Sequence, residues 1–546
     1  MNKPDRYRSV HLSQAYWPAD RTTPLLDQTL GDALREAAAE VPDRAALIEG
    51  APHPRPRRRW TFSQLLADAE RLAASLLDRF EPGDRVAVWA ANIPEWELLL
   101  YGCALAGVVL VTVNPAYKAR ELRYVLANSE ASGLFVMDEY RGQDTLAVAN
   151  AVRSELPGLR ELISFSNFND FWRSGSQRAR LPAVDPLDPC IIMFTSGTTG
   201  AQKGVVMHHK GIINVTNFTQ ERGGLTLGGV FVNPMPMFHI GALGHAAVGS
   251  VMRRATHVLA PGWDPAGFMQ LVASECGTYS LLVPTMIEAI LASTERRHYD
   301  LTTLRHIVSG AAMVEASLIK RTKAELGSTI SNIYGQTEMQ GVICAVHPED
   351  ATVDQSETIG QPMPQVEVKI ADPQSGEILS VGAQGEICVR GYQTMIGYFN
   401  MPEATAKTLD VDGWLRSGDL GSMDERGFLK ITGRIRELIK RGGESVYPRE
   451  IENLLLEHPK IAAAAVIGIP DSYWGEQVGA VIISRSPADR PSPSELHEFC
   501  RTHLASYKTP RFWGFVAELP ATETGKLQKF KLLEAIASGK ILLKRS

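Results

Sequence analysis

Apolar positions along the first half of the chain alternate between two rhythms. After Thr61-Phe-Ser-Gln64, a capping-box pattern, Leu65, Leu66, Ala69, Leu72, Ala73 and Leu76 fall at helical spacing and predict an amphipathic helix. Residues 85–90 then read as a strand, 93–107 as a helix, 108–113 as a strand, 121–128 as a helix and 133–138 as a strand. Apolar strands separated by helices predict an α/β domain with largely parallel, buried strands. The same alternation continues through Phe231, Val258, Leu281 and Ile307. Beyond Ile359 the texture changes to short β-like runs, 366–370 and 386–389, punctuated by glycines. A boundary falls near Gly433. After it a helix is expected from Tyr447-Pro448, strands at 461–469 and 478–484, and another capped helix at Ser492-Pro-Ser-Glu495. The expected fold class is α/β: a large N-terminal domain of α/β subdomains with a β-rich subdomain, followed by a small α+β C-terminal domain.

Composition narrows the function classes. At 546 residues the chain exceeds one hydrophobic core. Its net charge of −5 argues against a nucleic-acid binder. Six scattered cysteines with no C-x-x-C pair signal neither zinc nor a disulfide framework, so reduced thiols in a cytoplasmic protein are expected. The N-terminus has no apolar signal region, and the apolar run at 103–113 is too short to span a bilayer. The basic cluster at 53–59 reads as a solvated loop, with an anion or membrane contact as the alternative.

Chemistry concentrates at 194–204, FTSGTTGAQKG, directly after the apolar run Ile191-Ile192-Met193-Phe194. Four hydroxyls (Thr195, Ser196, Thr198, Thr199), three glycines (Gly197, Gly200, Gly204) and Lys203 suit a polyphosphate. Bare backbone lets N–H groups approach, hydroxyls donate, and the ammonium offsets charge. The spacing differs from the G-x-x-x-x-G-K-[ST] of P-loop ATPases. Tyr334-Gly335-Gln336-Thr337-Glu338, after a short strand at 329–333, places a hydroxyl beside a carboxylate, which suits a phosphate with its Mg2+. Asp419, at the end of the turn in Gly413-Trp-Leu-Arg-Ser-Gly-Asp419, suits the two hydroxyls of a ribose, and Arg434 adds a cation at the domain boundary. Lys526 follows a glycine in Thr522-Glu-Thr-Gly-Lys526. Singly, each of these is an ordinary loop charge.

In this order they are far more specific. The chain resembles the adenylate-forming superfamily of acyl- and aryl-CoA synthetases, nonribosomal-peptide adenylation domains and luciferases, from about Pro24 to Lys529. The resemblance implies that Thr195, Ser196, Gly197, Thr198, Thr199, Gly200 and Lys203 hold the β- and γ-phosphates of ATP. It implies that Thr337 binds the α-phosphate, Glu338 ligates Mg2+, and Asp419 with Arg434 binds the ribose. The adenine would lie against Tyr334 and the backbone of Gly310, Ala311 and Ala312, and Gly335 would belong to the same nucleotide site. Lys526 would bridge the acid's carboxylate and the nucleotide during adenylation. The implied organisation is an N-terminal domain at 1–432, a hinge at 433–437 and a mobile C-terminal domain at 438–546. Rotation of that domain would withdraw Lys526 and bring Gly442 and Gly443 to the CoA tunnel. Two departures stand out: Arg436 at the hinge, where relatives carry Asp or Lys, and Gln202 where proline is common.

The segment Asn233 to Leu243 resembles the lining of the family's acyl pocket, with His239 as an aromatic gate beside the carboxylate. Its neighbours Gly241, Ala242, Gly310, Ala311, Met339, Gly341 and Val342 offer no charge for an amino acid's ammonium group, so a hydrophobic acid is expected. The segments 391–398 and 442–448 look most like bacterial medium- and long-chain acyl-CoA synthetases. The expected activity is an ATP-dependent acid–CoA ligase acting through acyl-AMP. The alternatives are an aryl or alicyclic acid–CoA ligase, a stand-alone enzyme that loads a carrier protein, and a non-catalytic binder of nucleotide or acyl-adenylate. Oligomeric state is not legible.

Overall fold

A computed structural model describes residues 10–50, 56–173, 175, 180–195, 202–310, 312–441, 444–521 and 527–546. They fall into two compact units: residues 17–368 with 389–415, and residues 10–16 with 369–388 and 416–546. The segment 433–437 lies inside the second unit.

The first unit is built on two large sheets. In the seven-stranded sheet the central strands Pro189–Thr195, Val109–Val113, Arg85–Trp89, Gly133–Val136 and Glu161–Ser164 run parallel, and Lys203–His208 and Gly397–Tyr398 add an antiparallel edge. Every residue of Val109–Val113 is buried, as expected of a strand covered on both faces. In the nine-stranded sheet six strands run parallel, among them Val230–Asn233, Tyr279–Leu281, His306–Ser309 and Thr329–Gln336. The anticipated first helix is Phe62–Leu77. Thr61 Oγ1 accepts from Gln64 N at 3.2 Å, and Gln64 Oε1 accepts from Thr61 N at 2.9 Å. Its apolar stripe, Leu65, Ala69, Leu72, Ala73 and Leu76, is fully buried. Each such leucine contributes roughly 1.5–3 kcal/mol on leaving water.

The second unit carries a five-stranded sheet ordered Tyr16–Trp17, Glu367–Ala371, Gly385–Arg390, Leu415–Met423 and Leu429–Arg434. It also carries a six-stranded sheet centred on Gly475–Ser484, flanked by helices Pro448–Leu456 and Pro493–His503. Pro448 occupies the first turn of its helix, where its missing N–H has no partner to lose.

Two sequence expectations are corrected. The strand read as ending at Ile333 continues to Gln336, because it pairs with Gly341–Ala345. Asp419 lies within strand Leu415–Met423, opposite Arg434, rather than at the end of a turn. Of the basic cluster, Arg57 and Arg58 lie in a loop and Arg58 and Arg59 are exposed, with carboxylates beside all three. Arg57 and Arg59 pair with Glu275, and Arg58 lies 3.0 Å from Glu49 and 2.5 Å from Glu95. Carboxylates thus neutralise these three guanidiniums locally. All six cysteines are free thiols, five of them buried. Among the described residues, no helix is long and apolar enough to cross a membrane.

Candidate functional site

The candidate residues of the first unit gather at the carboxyl ends of parallel strands, where open α/β sheets bind their ligands. Strand His306–Ser309 runs alongside Thr329–Gln336, with Ser309 beside Asn332. Gly310 therefore leaves the sheet next to Ile333; a Cβ there would lie 3.1 Å from the Ile333 side chain. The second strand runs on through Tyr334 and Gly335 into a one-turn 3-10 helix, Thr337–Met339. Gly335 is obligatory: a Cβ at this position would lie 1.9 Å from the Gly341 carbonyl oxygen. Tyr334 is buried and Ala312 exposed, while Ala311 lies outside the described residues.

Pro189–Thr195 and Lys203–His208 form a hairpin with Thr195 opposite Lys203, so the strand expected before the phosphate loop is present. Ser196, Gly197, Thr198, Thr199 and Gly200 lie outside the described residues. The far end of the hairpin is held by Tyr124, whose hydroxyl donates to the Gln202 carbonyl at 2.6 Å. Lys203 Nζ stands 4.5 Å from the centroid of the Tyr398 ring, a cation–π distance. The Tyr398 hydroxyl donates to Glu338 Oε1 at 2.9 Å. The backbone around Tyr398 reinforces the link: Met395 N donates to the Glu338 carbonyl at 2.9 Å, and Phe399 N to the Gly204 carbonyl at 2.8 Å. One strap, 395–399, thus joins the phosphate-loop lysine to the carboxylate expected to hold the metal.

Tyr398 and the strap's other contacts carried no assigned role in the sequence. The segment 391–398 was legible only as a resemblance, because a phenol's partner depends on sheet pairing. Gln340 was missed as well. Fully buried, its side chain accepts from His208 N at 3.2 Å and donates to the Thr394 carbonyl at 3.3 Å.

His239 follows the carboxyl end of strand Val230–Asn233 and precedes an eight-residue π-helix, Gly241–Val248, that periodicity did not reveal. Burial pushes its imidazole down to about 4, so it is neutral at physiological pH. Its ring packs 4.2 Å from that of Phe238. Ala242, Met339 and Val342 are buried.

In the second unit, Asp419 and Arg434 face each other across strands Leu415–Met423 and Leu429–Arg434, with Arg434 Nε 3.1 Å from Asp419 Oδ1. The Asp419 side chain is 7% exposed, so the guanidinium is the charge that makes its burial tolerable. Gly442 and Gly443, between paired Arg441 and Glu444, lie outside the described residues, as does Lys526.

These groups fit Mg2+ carried on phosphates. Magnesium asks for one or two carboxylates and fills its octahedron with water and phosphate oxygens. Glu338 supplies such a carboxylate beside Thr337, and no group of three metal-ligating side chains occurs among the described residues.

Comparison with known proteins agrees. The model of the AMP-binding enzyme family matches residues 34–399, and that of the AMP-binding enzyme C-terminal domain matches 450–526. The chain is 33% identical to the mitochondrial medium-chain acyl-CoA ligase ACSF2 of Rattus norvegicus, over 93% of this chain and 88% of that one. It is 34% identical to the 3-[(3aS,4S,7aS)-7a-methyl-1,5-dioxo-octahydro-1H-inden-4-yl]propanoyl:CoA ligase of Rhodococcus jostii, over 93% and 98%. Among solved structures, ATP-bound MatB from Rhodopseudomonas palustris superimposes with a TM-score of 0.84 at 28% identity, over 93% of this chain and 99% of that one. The chain belongs to the AMP-binding enzyme family and is an AMP-forming acid–CoA ligase that uses ATP, Mg2+ and CoA.

Proposed function

We propose that this ligase activates a hydrophobic, fatty carboxylic acid. The observation that carries this reading is the burial that keeps His239 neutral; the residues expected to line the acyl pocket with it, Ala242, Met339 and Val342, are buried and carry no charge for a substrate ammonium or second carboxylate. An oxygen of the acid attacks the α-phosphorus of ATP, and the bond to pyrophosphate breaks. The CoA sulfur then attacks the acyl carbonyl and AMP departs with the C–O electron pair. Both reactants of the first step are anions, so cationic and hydrogen-bonding groups aimed at the crowded phosphate carry the catalysis. Lys203 and the hydroxyls 195–199 hold the terminal phosphates, and Thr337 the α-phosphate. Glu338 holds Mg2+, which offsets phosphate charge when bound. Asp419, kept in place by Arg434, accepts from the ribose hydroxyls. Lys526 contacts carboxylate and nucleotide during adenylation. Residues 438–546 turn about 433–437 to replace Lys526 by Gly442 and Gly443 for thioester formation.

A second reading, an alicyclic acid, is favoured by the Rhodococcus relative, whose name places a fused-ring propanoyl group on CoA. The two are separated by mass spectrometry of products from ATP, Mg2+, CoA and a mixed panel of fatty, alicyclic and aryl acids. A preference for fatty acyl-CoA is expected. A preference for ring acids moves the substrate class, and accumulating acyl-AMP without thioester moves the acceptor to a carrier protein.

A further inference from the structure

Three backbone segments of the first unit meet around Lys203 and Glu338: strand Lys203–His208, the strap 395–399 and the one-turn helix Thr337–Met339. Two sides of this triangle are backbone hydrogen bonds. Strap and strand join where Ile396 N donates to the Val206 carbonyl at 2.9 Å and Phe399 N to that of Gly204 at 2.8 Å. Strap and turn join where Met395 N donates to the Glu338 carbonyl at 2.9 Å. The third side is made by a side chain. Gln340 Oε1 accepts from His208 N at 3.2 Å, and Gln340 Nε2 donates to the Thr394 carbonyl, just before the strap, at 3.3 Å. Its own N donates to the Thr337 carbonyl at 2.9 Å and closes the turn. A carboxamide suits this corner because it is donor and acceptor at once, and it carries no charge to dehydrate.

Two further observations distinguish Gln340 from an amide that only fills space. Its backbone is left-handed, with φ 53°, a conformation that a residue with a Cβ keeps where its surroundings enforce it. The neighbouring helix His209–Gly223 makes room for it with a glycine: a Cβ at Gly211 would lie 2.4 Å from Gln340 Nε2. Gly211 N in turn donates to His208 Nδ1 at 3.1 Å, so ring and backbone of His208 are both held at this corner. We propose that Gln340 is a positioning residue for the carboxylate of Glu338. By tying the turn to the His208 end of the strand, it sets Glu338 at a fixed distance from Lys203 at the other end. Both groups then meet the terminal phosphates and their Mg2+ together. This inference rests on the reading of Glu338 as the Mg2+ carboxylate and Lys203 as a phosphate cation.

The test compares equilibrium binding of MgATP and of AMP to the full-length enzyme by titration calorimetry. AMP carries the base, the ribose and one phosphate, but neither the terminal phosphates nor the metal. Gln340→Met keeps the volume of the side chain and removes both of its hydrogen bonds. Gly211→Ala leaves Gln340 in the chain and displaces its amide by a single methyl group. Each variant is expected to weaken MgATP binding about tenfold, the upper end of what one net hydrogen bond is worth. AMP binding should stay within about twofold, the scatter expected of groups that do not share a contact. The calorimetric stoichiometry reports the folded fraction, so a destabilised variant is still read through its dissociation constant. Equal weakening of both nucleotides, or unchanged MgATP affinity in Gln340→Met, overturns the positioning role. Glu338→Gln is the control: if it leaves MgATP affinity intact, the metal reading itself falls, a result distinct from failure of Gln340 alone.

Discussion

Tyr398 joins two groups that meet only through folding. Its ring faces Lys203 and its hydroxyl donates to Glu338, sixty positions away in sequence. The residue types of this site were legible because each is tied to a short motif: Lys203 closes the glycine-rich loop, Thr337 and Glu338 end YGQTE, and Asp419 ends the Ser-Gly-Asp motif. The contacts among them were not, since strand register decides them. Tyr398→Phe keeps the ring under Lys203 and deletes one bond to a carboxylate. Adenylation is expected to fall about tenfold, with a higher Mg2+ concentration needed for half-maximal rate. ATP–pyrophosphate exchange across a Mg2+ series checks this, and an unchanged profile would separate Tyr398 from the metal-holding role of Glu338.

Helices were the most legible elements. Each boxed end satisfies backbone N–H groups locally, so four residues suffice to announce it. Ser492 Oγ accepts from Glu495 N at 3.1 Å, as Thr61 does from Gln64. Thr61→Ala should cost about 1 kcal/mol of stability, read from the urea midpoint, while Thr61→Ser should recover most of it. Strand ends were less legible. The YGQ segment looks like a turn because glycine and glutamine are poor strand formers, yet pairing with Gly341–Ala345 keeps it extended. Asp419 entered a strand for the same reason: a partner 15 residues later in the chain supplied both the ladder and the counter-charge. The π-helix at Gly241–Val248 broke the 3.6-residue periodicity on which a reading of that stretch depends.

At the scale of the whole molecule, several histidines are buried where protonation is unfavourable. Burial pushes His209 to about 4 and His245 to about 3, against an ordinary value near 6.5. Both folded values lie below the unfolded one, so between them the unfolded chain binds more protons than the native one. Stability is therefore fully present above about pH 6.5 and declines as pH falls, by about 1.4 kcal/mol per pH unit for each such histidine. Urea unfolding at pH 7.5 and pH 5 should show a loss of about 2 kcal/mol per histidine. His245→Gln should flatten the slope, and a pH-independent midpoint would contradict it.

What the sequence by itself determined was local or ordered along the chain: the helix ends, the buried parallel strands, the order of the phosphate loop, YGQTE, Asp419 and Arg434, and so the reaction class. These follow from hydrogen-bond satisfaction within a few residues and from hydrophobic periodicity, which need no partner. Only the tertiary structure decided which groups touch. It set Tyr398 between Lys203 and Glu338, Asp419 against Arg434, and Lys529 between Glu437 and Glu452. Such contacts join positions far apart in sequence, and the cost of dehydrating each charge is met only where the register of strands and the packing of helices bring its counter-charge within reach.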